Sequence, residues 1–362
     1  MSKYRDILSH FNIKEEIIGI SPFGEGHIND TFLVTCPKTK YVLQRINHKI
    51  FKNPSEVMTN ISNICDHLKK KTISGNGNPD REVMTLVPAT DGRFFTEYNG
   101  NFYRVYIFLD NAVSYQFIED PRHFYNAGKA FGKFQRLLSD FPADSLFETI
   151  EKFHDTKDRY NKFEKAVESN FSGRRDKVKE EIDFVRSRVA DVDKVVKLLE
   201  EGKIPLRVTH NDTKLNNVLM DANSGEAICV IDLDTIMPST LLYDFGDAIR
   251  FGASTAEEDE KDLSRVTIDL NLYKVFAEGF ISEIKNTITP LEIELLPFSA
   301  KLMTLECGIR FLTDYLDGDV YFKIHRPEHN LDRARTQFKL VADMENKMDE
   351  MTKIIEDIFK EN

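Results

Sequence analysis

The rhythm of apolar and polar positions changes near residue 111. Before it, apolar residues come in short β-rich runs broken by turns: Ile17–Ile20, Thr31–Cys36, Tyr41–Ile46, Glu82–Leu86, Arg93–Glu97 and Phe102–Leu109. One interval, Pro54–Lys71, keeps helical spacing instead. This pattern predicts a small sheet with one packed helix. After Asn111 helical periods dominate to the end. Val178, Ile182, Val185, Val189, Val192 and Val196 recur at alternating spacings of four and three, which places them on one helical stripe. Thr255-Ala-Glu-Glu258 and Thr289-Pro-Leu-Glu292 both read as capping boxes, and the second opens a helix reaching about Leu316, with Pro at its first position. Strands are expected in the second half only at Val218–Met220 and Ala227–Ile231, flanking the Asn223-Ser-Gly225 turn. The fold class predicted is α+β: a small β-rich lobe over residues 1–110 and a larger, mainly helical lobe over 111–362, joined near Phe108–Val113.

Length supports two domains, since single cores stop growing at about 250–300 residues and the chain has 362. A hydrophobic share of 41% supplies ample core, its aromatic part being Phe and Tyr without Trp. The net charge of -11 opposes non-specific binding to nucleic acid or an anionic membrane, because either would repel the chain as a whole. The opening Met1-Ser-Lys-Tyr-Arg-Asp-Ile-Leu8 is too polar for a signal-peptide core, and no later run approaches the ~18 apolar residues of a spanning helix. A cytoplasmic protein is expected, without nucleic-acid or membrane partners, as a monomer or weak homo-oligomer. Cys36, Cys65, Cys229 and Cys307 lack C-x-x-C spacing, so they read as reduced core thiols and not as disulfides or a zinc site.

The sharpest chemical signal is His210-Asn-Asp212-Thr-Lys214-Leu-Asn-Asn217, the H-x-D-x-x-x-x-N spacing of a kinase catalytic loop. In phosphoryl transfer that Asp takes the proton of the attacking hydroxyl, and the Asn five residues on supplies an amide oxygen to Mg²⁺. Asp212 and Asn217 take these roles, with His210 bracing the loop. Val230-Ile-Asp232-Leu-Asp234 follows, an apolar strand ending in two acids. Asp232 reads as the first metal ligand and Asp234 as a second ligand or a substrate contact. Either motif alone describes a loop with solvated polar residues; the ordered pair, each preceded by apolar residues, favours a site. The literal Asp244-Phe-Gly246 lies further on and is expected to be structural, with Asp244 capping a helix or bracing the catalytic loop.

Nearer the N-terminus, Phe23-Gly24-Glu-Gly26-His27-Ile-Asn29 sits between two strands and reads as a turn covering ATP phosphates with backbone N–H groups. It precedes a strand and not a helix, so it fails the Rossmann context, and no G-x-x-x-x-G-K-[ST] occurs, which excludes P-loop enzymes. Where a kinase would carry a Lys on its third strand, Gln44 holds the inward position, leaving open what contacts the phosphates. Phe108 and Leu109, at the connection, complete the nucleotide-contact candidates. Glu306, Arg310 and Asp314 fall at i, i+4 and i+8 on one face of an otherwise apolar helix. They form either an internal chain of salt bridges joining helices or a substrate-facing row in which Arg310 and Asp314 meet the acceptor and Tyr321 stacks on a sugar ring. His325 and His329 are expected to be surface residues without partners.

Through T-H-N-D-T-K-L-N-N (209–217) and I-D-L-D (231–234) the chain resembles the aminoglycoside phosphotransferase and choline kinase superfamily. It resembles the N-acetylhexosamine 1-kinases more closely and over nearly its whole length, through P-F-G-E-G-H-I-N (22–29), R-V-Y-I-F and A-V-S-Y (104–115), L-Y-D-F-G-D-A-I-R-F-G-A-S-T (242–255), E-C-G-I-R-F-L (306–312) and P-E-H-N-L (327–331). The resemblance implies a bilobal protein-kinase-like fold and ATP- and Mg²⁺-dependent phosphorylation of GlcNAc or GalNAc at the anomeric hydroxyl. It also implies that His27, Asp212, Arg310 and Tyr321 face the sugar and that Asn217 and Asp232 hold the metal. The chemistry is consistent, because an anomeric hydroxyl is more acidic than an ordinary alcohol and one ionised Asp within reach suffices as base. Two alternatives remain. One is a kinase of the same superfamily for choline, homoserine or an aminoglycoside, with the lack of Trp disfavouring a quaternary ammonium cage. The other is a non-catalytic kinase-fold binding protein, against which the joint presence of Asp212, Asn217 and Asp232 argues.

Overall fold

The computed structural model describes residues 2–24 and 29–361. Its strands are β1 Gly19–Pro22, β2 Asp30–Thr35, β3 Lys40–Ile46, β4 Thr96–Tyr98, β5 Asn101–Ile107, β6 Ala112–Val113, β7 Arg207–Thr209, β8 Val218–Asp221, β9 Ala227–Val230 and β10 Met237–Ser239. Its helices are α1 Ser2–Leu8, α2 Pro54–Ser74, α3 Pro79–Glu82, α4 Pro121–Leu137, α5 Thr156–Ser169, α6 Lys179–Arg186, α7 Lys194–Glu200, α8 Leu241–Gly252, α9 Leu270–Ile284, α10 Pro290–Asp317, α11 His329–Asn346 and α12 Met348–Glu361. Two compact units divide the chain, one made of Met1–Ser114, Asp140–Glu151 and Asn217–Pro238, the other of the remainder. The division is therefore not a single cut at residue 110, since β8 and β9 belong with the small sheet.

In the first unit the sheet runs β1-β2-β3-β5-β4 with every neighbouring pair antiparallel. Alternation along β5 sends Tyr103 and Val105 into a cluster with Ile7, Leu8 and Phe11 from the α1 region, beside Leu43 and Val34. Arg104 and Tyr106 take the opposite face and are buried too. Arg104 reaches Met58 of α2 there. The two outlying segments are tied to α2 by one side chain: Asn60 donates to the carbonyls of Phe147 (2.8 Å) and Ile236 (3.0 Å) and accepts from the Phe147 N–H (2.9 Å). The strand expected over Glu82–Leu86 does not form. Asn78 caps α3, with Pro79 opening it, and only an isolated bridge joins Leu86 to Tyr106. A second sheet, β6-β8-β9, contains the expected hairpin, whose turn has Gly225 at φ 73°.

The second unit is helical. α10 starts at the predicted capping box, with Thr289 and Glu292 satisfying each other's backbone N–H groups, and stops at Gly318 in the left-handed region. Its face packs on α8 so tightly that a Cβ on Gly246 would lie 2.4 Å from the Ser299 carbonyl oxygen. α4 and α9 cross equally closely, a Cβ on Gly128 falling 2.3 Å from the Phe276 carbonyl oxygen. The valine stripe is not one helix. It breaks between α6 and α7, where Asp191 pairs with Lys301 (2.8 Å), leaving Val189 exposed and substituting Val195 for Val196 in the core. No helix begins at Thr255 either; its hydroxyl bonds to Arg265 and Thr267 instead, while Glu258 pairs with Arg250 (3.2 Å). The four cysteines form no disulfide, and three of them are buried. No helix among the described residues is long and apolar enough to cross a membrane.

Candidate active site

The catalytic-loop motif leaves β7 and is braced from behind by α8. The Asp244 carboxylate accepts from the backbone N–H groups of His210 (3.0 Å) and Asn211 (2.8 Å) and from Gln135 Nε2 (2.7 Å). Burial raises the pKa of Asp244, opposed by His210 and these donors. Asp244 is thus the brace that sequence anticipated, and Gly246 is Gly because α10 passes so close. Thr213 is drawn inward as well, its N–H donating to Asp247 (3.2 Å) and its hydroxyl to the Asp244 carbonyl (2.5 Å). His210 is wedged against the edges of Phe131 and Phe134, and its Nδ1 accepts from the Asp212 N–H (3.3 Å). Asp212 itself keeps 26% of its side chain exposed, with Lys214 Nζ 2.8 Å from its carboxylate.

A second brace comes from α10. Glu306 accepts from the Thr156 hydroxyl (2.7 Å) and lies 2.8 Å from His154 Nδ1, whose other ring nitrogen, Nε2, is 3.2 Å from the Asn211 carbonyl. Burial pushes the Glu306 carboxyl up, but His154, Arg159 and Arg310 outweigh it and hold it below its usual range. Glu306 therefore supports the loop through His154, a residue sequence reasoning missed. Arg310 lies between the rings of Phe153 (5.6 Å) and Phe322 (5.5 Å), and no carboxylate pairs with it among the described residues. Half-buried Arg159 stands near it, its own pKa lowered by burial and by the Arg310 charge. Tyr321, 63% exposed, sits edge-on to the same Phe322. Asp314 corrects the expectation of a substrate contact. It is buried and its oxygens accept from the N–H groups of Val320 (2.9 Å), Tyr321 (2.7 Å) and Phe322 (2.9 Å) and from Asn330 (2.8 Å), so it folds the loop that presents Tyr321. His325 is exposed as expected, but His329 is buried and pairs with Asp259 (3.0 Å).

The remaining candidates belong to the first unit. The β8–β9 register of Val218 with Val230 brings Asn217 and Asp232 to the same open end of the hairpin, where the Asn217 carbonyl accepts from the Ile231 N–H (2.9 Å). Asp232 adopts φ 59° and ψ 58°, the left-handed region that Asp tolerates better than most residues, and this turns the chain sharply after β9. Asp234, two residues on, is buried and engaged on both oxygens. One oxygen is held by Arg104 and the other by Asn29 Nδ2 (2.6 Å). Arg104 pairs in register with Gln44 across β3 and β5, and donates twice to the Gln44 side-chain oxygen (3.0 and 2.8 Å). Burial works against the Arg104 charge, yet Asp234, with Tyr106 and Asp232, raises its pKa above the ordinary value. A buried cation thus stands on β5, paired across to Gln44 of β3. A charged residue at the inward position of Phe102-Tyr-Arg-Val-Tyr106 was the signal for it.

Gly24 is at φ 76°, and the preceding Phe23 packs edge-on to Phe108 (5.6 Å). Leu109 follows, half-buried. Gly26 and His27 lie outside the described residues. No group of three or more His, Cys, Asp or Glu side chains is arranged to hold a metal among the described residues. Asn217 and Asp232 offer one amide oxygen and one carboxylate, a hard-oxygen donor set that suits Mg²⁺ completed by phosphates and water.

The same fold recurs in solved structures. An aminoglycoside phosphotransferase from Alicyclobacillus acidocaldarius subsp. acidocaldarius aligns with a TM-score of 0.63 at 13% identity, covering 99% of this chain and 96% of that one. A spectinomycin phosphotransferase in complex with ADP and spectinomycin gives 0.60 at 13% identity, over 95% and 98% of the two chains. A choline kinase from Cryptosporidium parvum gives 0.57 at 14% identity, over 97% of each. The small antiparallel sheet and larger helical part are those of the protein-kinase-like phosphotransferases. Residues 19–269 match the phosphotransferase enzyme family, APH, in one span from β1 to the start of α9. That span holds Gln44, Arg104, Asp212, Asn217 and Asp232 together, and the chain belongs to this family of phosphotransferases.

Proposed function

We propose that the protein transfers the γ-phosphoryl group of ATP to the anomeric hydroxyl of an N-acetylhexosamine, GlcNAc or GalNAc, giving the 1-phosphate and ADP. The observation that carries the reading is the contrast around Asp212: its loop is anchored by buried hydrogen bonds on three sides, while its own carboxylate stays accessible. A base held rigidly within reach of a hydroxyl needs little else, since positioning and charge neutralisation supply most of the acceleration in phosphoryl transfer. Asp212 would accept the proton of the hydroxyl. Asn217 and Asp232 would hold Mg²⁺, which neutralises phosphate charge when bound. Gly24 and Gly26, Gln44, Phe108 and Leu109 are the proposed nucleotide contacts, with Arg104 adding positive charge behind Gln44.

For the acceptor, support comes from the extended sequence resemblance and from Arg310 and Tyr321, a guanidinium without a carboxylate partner among the described residues and an exposed aromatic ring, both against Phe322. His27 joins them in this proposal. The names of the structural neighbours favour aminoglycosides or choline instead. Two guanidiniums in this region, Arg159 and Arg310, repel a cationic acceptor and favour a neutral one rich in hydroxyl and carbonyl oxygens. The test is incubation with Mg²⁺-ATP and a panel of GlcNAc, GalNAc, choline, homoserine and an aminoglycoside, followed by phosphorus NMR. The expected product shows a phosphorus coupled to the anomeric proton and vanishes with Asp212→Asn. Transfer only to choline, homoserine or the aminoglycoside would overturn the sugar assignment.

A further inference from the structure

We propose that His154 is a positioning residue of the transfer: a buried imidazolium, carrying both ring protons, that fixes the peptide plane from which Asp212 hangs. The inference rests on the function proposed above. It starts from the backbone just before the base. Asn211 has φ 63°, a left-handed conformation that Asn adopts more readily than most residues, and this turns the chain sharply after β7. Both ends of the plane joining Asn211 to Asp212 meet a histidine. The Asp212 N–H donates to His210 Nδ1 (3.3 Å), and the Asn211 carbonyl lies 3.2 Å from His154 Nε2. Rotating that plane changes φ of Asp212 and with it the direction of the side chain, so the two histidine contacts set where the base stands.

The two rings meet the plane in opposite ways. His210 Nδ1 accepts, so that nitrogen is bare. His154 faces acceptors on both sides, the Asn211 carbonyl at Nε2 and the Glu306 carboxylate 2.8 Å from Nδ1. A neutral imidazole has one N–H and one lone pair, and either tautomer would set that lone pair against an oxygen. A protonated Glu306 would remove the conflict. Burial favours that neutral carboxyl, but His154, Arg159 and Arg310 outweigh it and hold the pKa below its ordinary value. Glu306 is therefore an acceptor at both oxygens, the second taking the Thr156 hydroxyl (2.7 Å). The Tyr243 ring lies 5.5 Å from His154, and burial, with the charges of Glu306 and Asp155, keeps its hydroxyl from ionising. His154 thus carries two N–H groups and one positive charge, matched by one buried carboxylate.

The pair is directional. Glu306 fixes the ring, and the opposite N–H, strengthened by the charge, holds the Asn211 carbonyl. α10 carries both Glu306 and, one turn on, Arg310, the proposed acceptor contact. One helix therefore places the acceptor and, through His154, the base that takes its proton. A misplacement of about 1 Å between such groups costs roughly 10²-fold in rate. His154 acts on the reaction only through the Asn211 carbonyl.

The first test is long-range proton–nitrogen NMR of the full chain labelled in its histidine rings, with His154→Asn assigning the resonances. Two protonated ring nitrogens on His154 at neutral pH are expected, and a bare one would overturn the charged clamp. The second test is a pair of variants that each keep half of the clamp. In His154→Gln the amide nitrogen stands in for Nε2 and reaches toward the Asn211 carbonyl; in His154→Asn it stands in for Nδ1 and reaches toward Glu306. Both lose the ring, so the shared packing loss cancels. His154→Asn is expected to keep the higher melting temperature yet to lower kcat by roughly 10–10²-fold with little change in either KM. His154→Gln is expected to melt lower, Glu306 having lost its cation, yet to retain kcat within about three-fold. Loss of kcat in step with melting temperature, or equally in both variants, would overturn the positioning role. Phosphorylation of no acceptor in the panel would overturn the proposed function and the positioning role with it, while the ring nitrogens still report the charge of His154 separately.

Discussion

The turn at Asp232–Asp234 and the loop at His210–Lys214 each present acidic groups beside a cation, yet they handle their carboxylates in opposite ways. Asp234 is buried, with Arg104 on one oxygen and Asn29 on the other. Asp212 is partly exposed, with Lys214 beside its carboxylate. Around Asp234 the side chain is immobilised; around Asp212 it is the backbone that is immobilised, by Asp244, Asp247 and His154, and the carboxylate stays partly exposed. A buried acid engaged on both oxygens positions its neighbours, whereas a partly exposed acid on a rigid loop is fit to exchange a proton.

That contrast is open to direct tests. Asp212→Asn is expected to cost roughly 10³-fold in kcat, about 4 kcal/mol of transition-state stabilisation, with an unchanged melting temperature; a large loss of stability would mean that Asp212 is a structural acid like Asp234. Asp234→Ala should do the reverse and destabilise the fold by about 3–5 kcal/mol, because it strands the buried Arg104 charge. Equilibrium urea unfolding measures it, and a change below about 1 kcal/mol would show that the pair locks nothing. Asp244→Ala removes the acceptor of three buried donors and should cost about 2–3 kcal/mol in the same experiment.

The smallest effect is one of pH. The folded pKa of Glu306 is depressed below its ordinary 4.5, so its contribution to stability is present above that value and is lost as pH falls through the folded value. Melting temperatures followed into acid should fall more steeply for the wild type than for Glu306→Gln across this window. Identical slopes would remove His154–Glu306 as a charged brace.

Much of this was legible along the chain because it is local. The Thr289–Glu292 box and Pro290 set the start of α10 through backbone groups only three residues apart, and the β8–β9 hairpin follows from a turn between two apolar runs. Asp244 was readable as a brace because a better placed acid already stood at a strand end. The errors share a cause. Val178 to Val196 have helical spacing, but Asp191 is claimed by Lys301 of a distant helix. Glu82–Leu86 has strand composition, yet Asn78 and Pro79 start a helical turn first.

Sequence by itself determined the α+β class and singled out the H-x-D-x-x-x-x-N loop and the acids and amides proposed for phosphoryl transfer, since each is written in the spacing of neighbouring residues. Tertiary structure alone decided which of those groups are buried and which stay partly exposed. Asp234 and Asp314 carry the same side chain as Asp212, but their oxygens are filled by Arg104, Asn29 and Asn330 and by the N–H groups of Val320 to Phe322. Whether a carboxylate can act depends on the donors that surround it. For Asp234 the donors lie 130 and 205 residues away, distances that no local pattern spans.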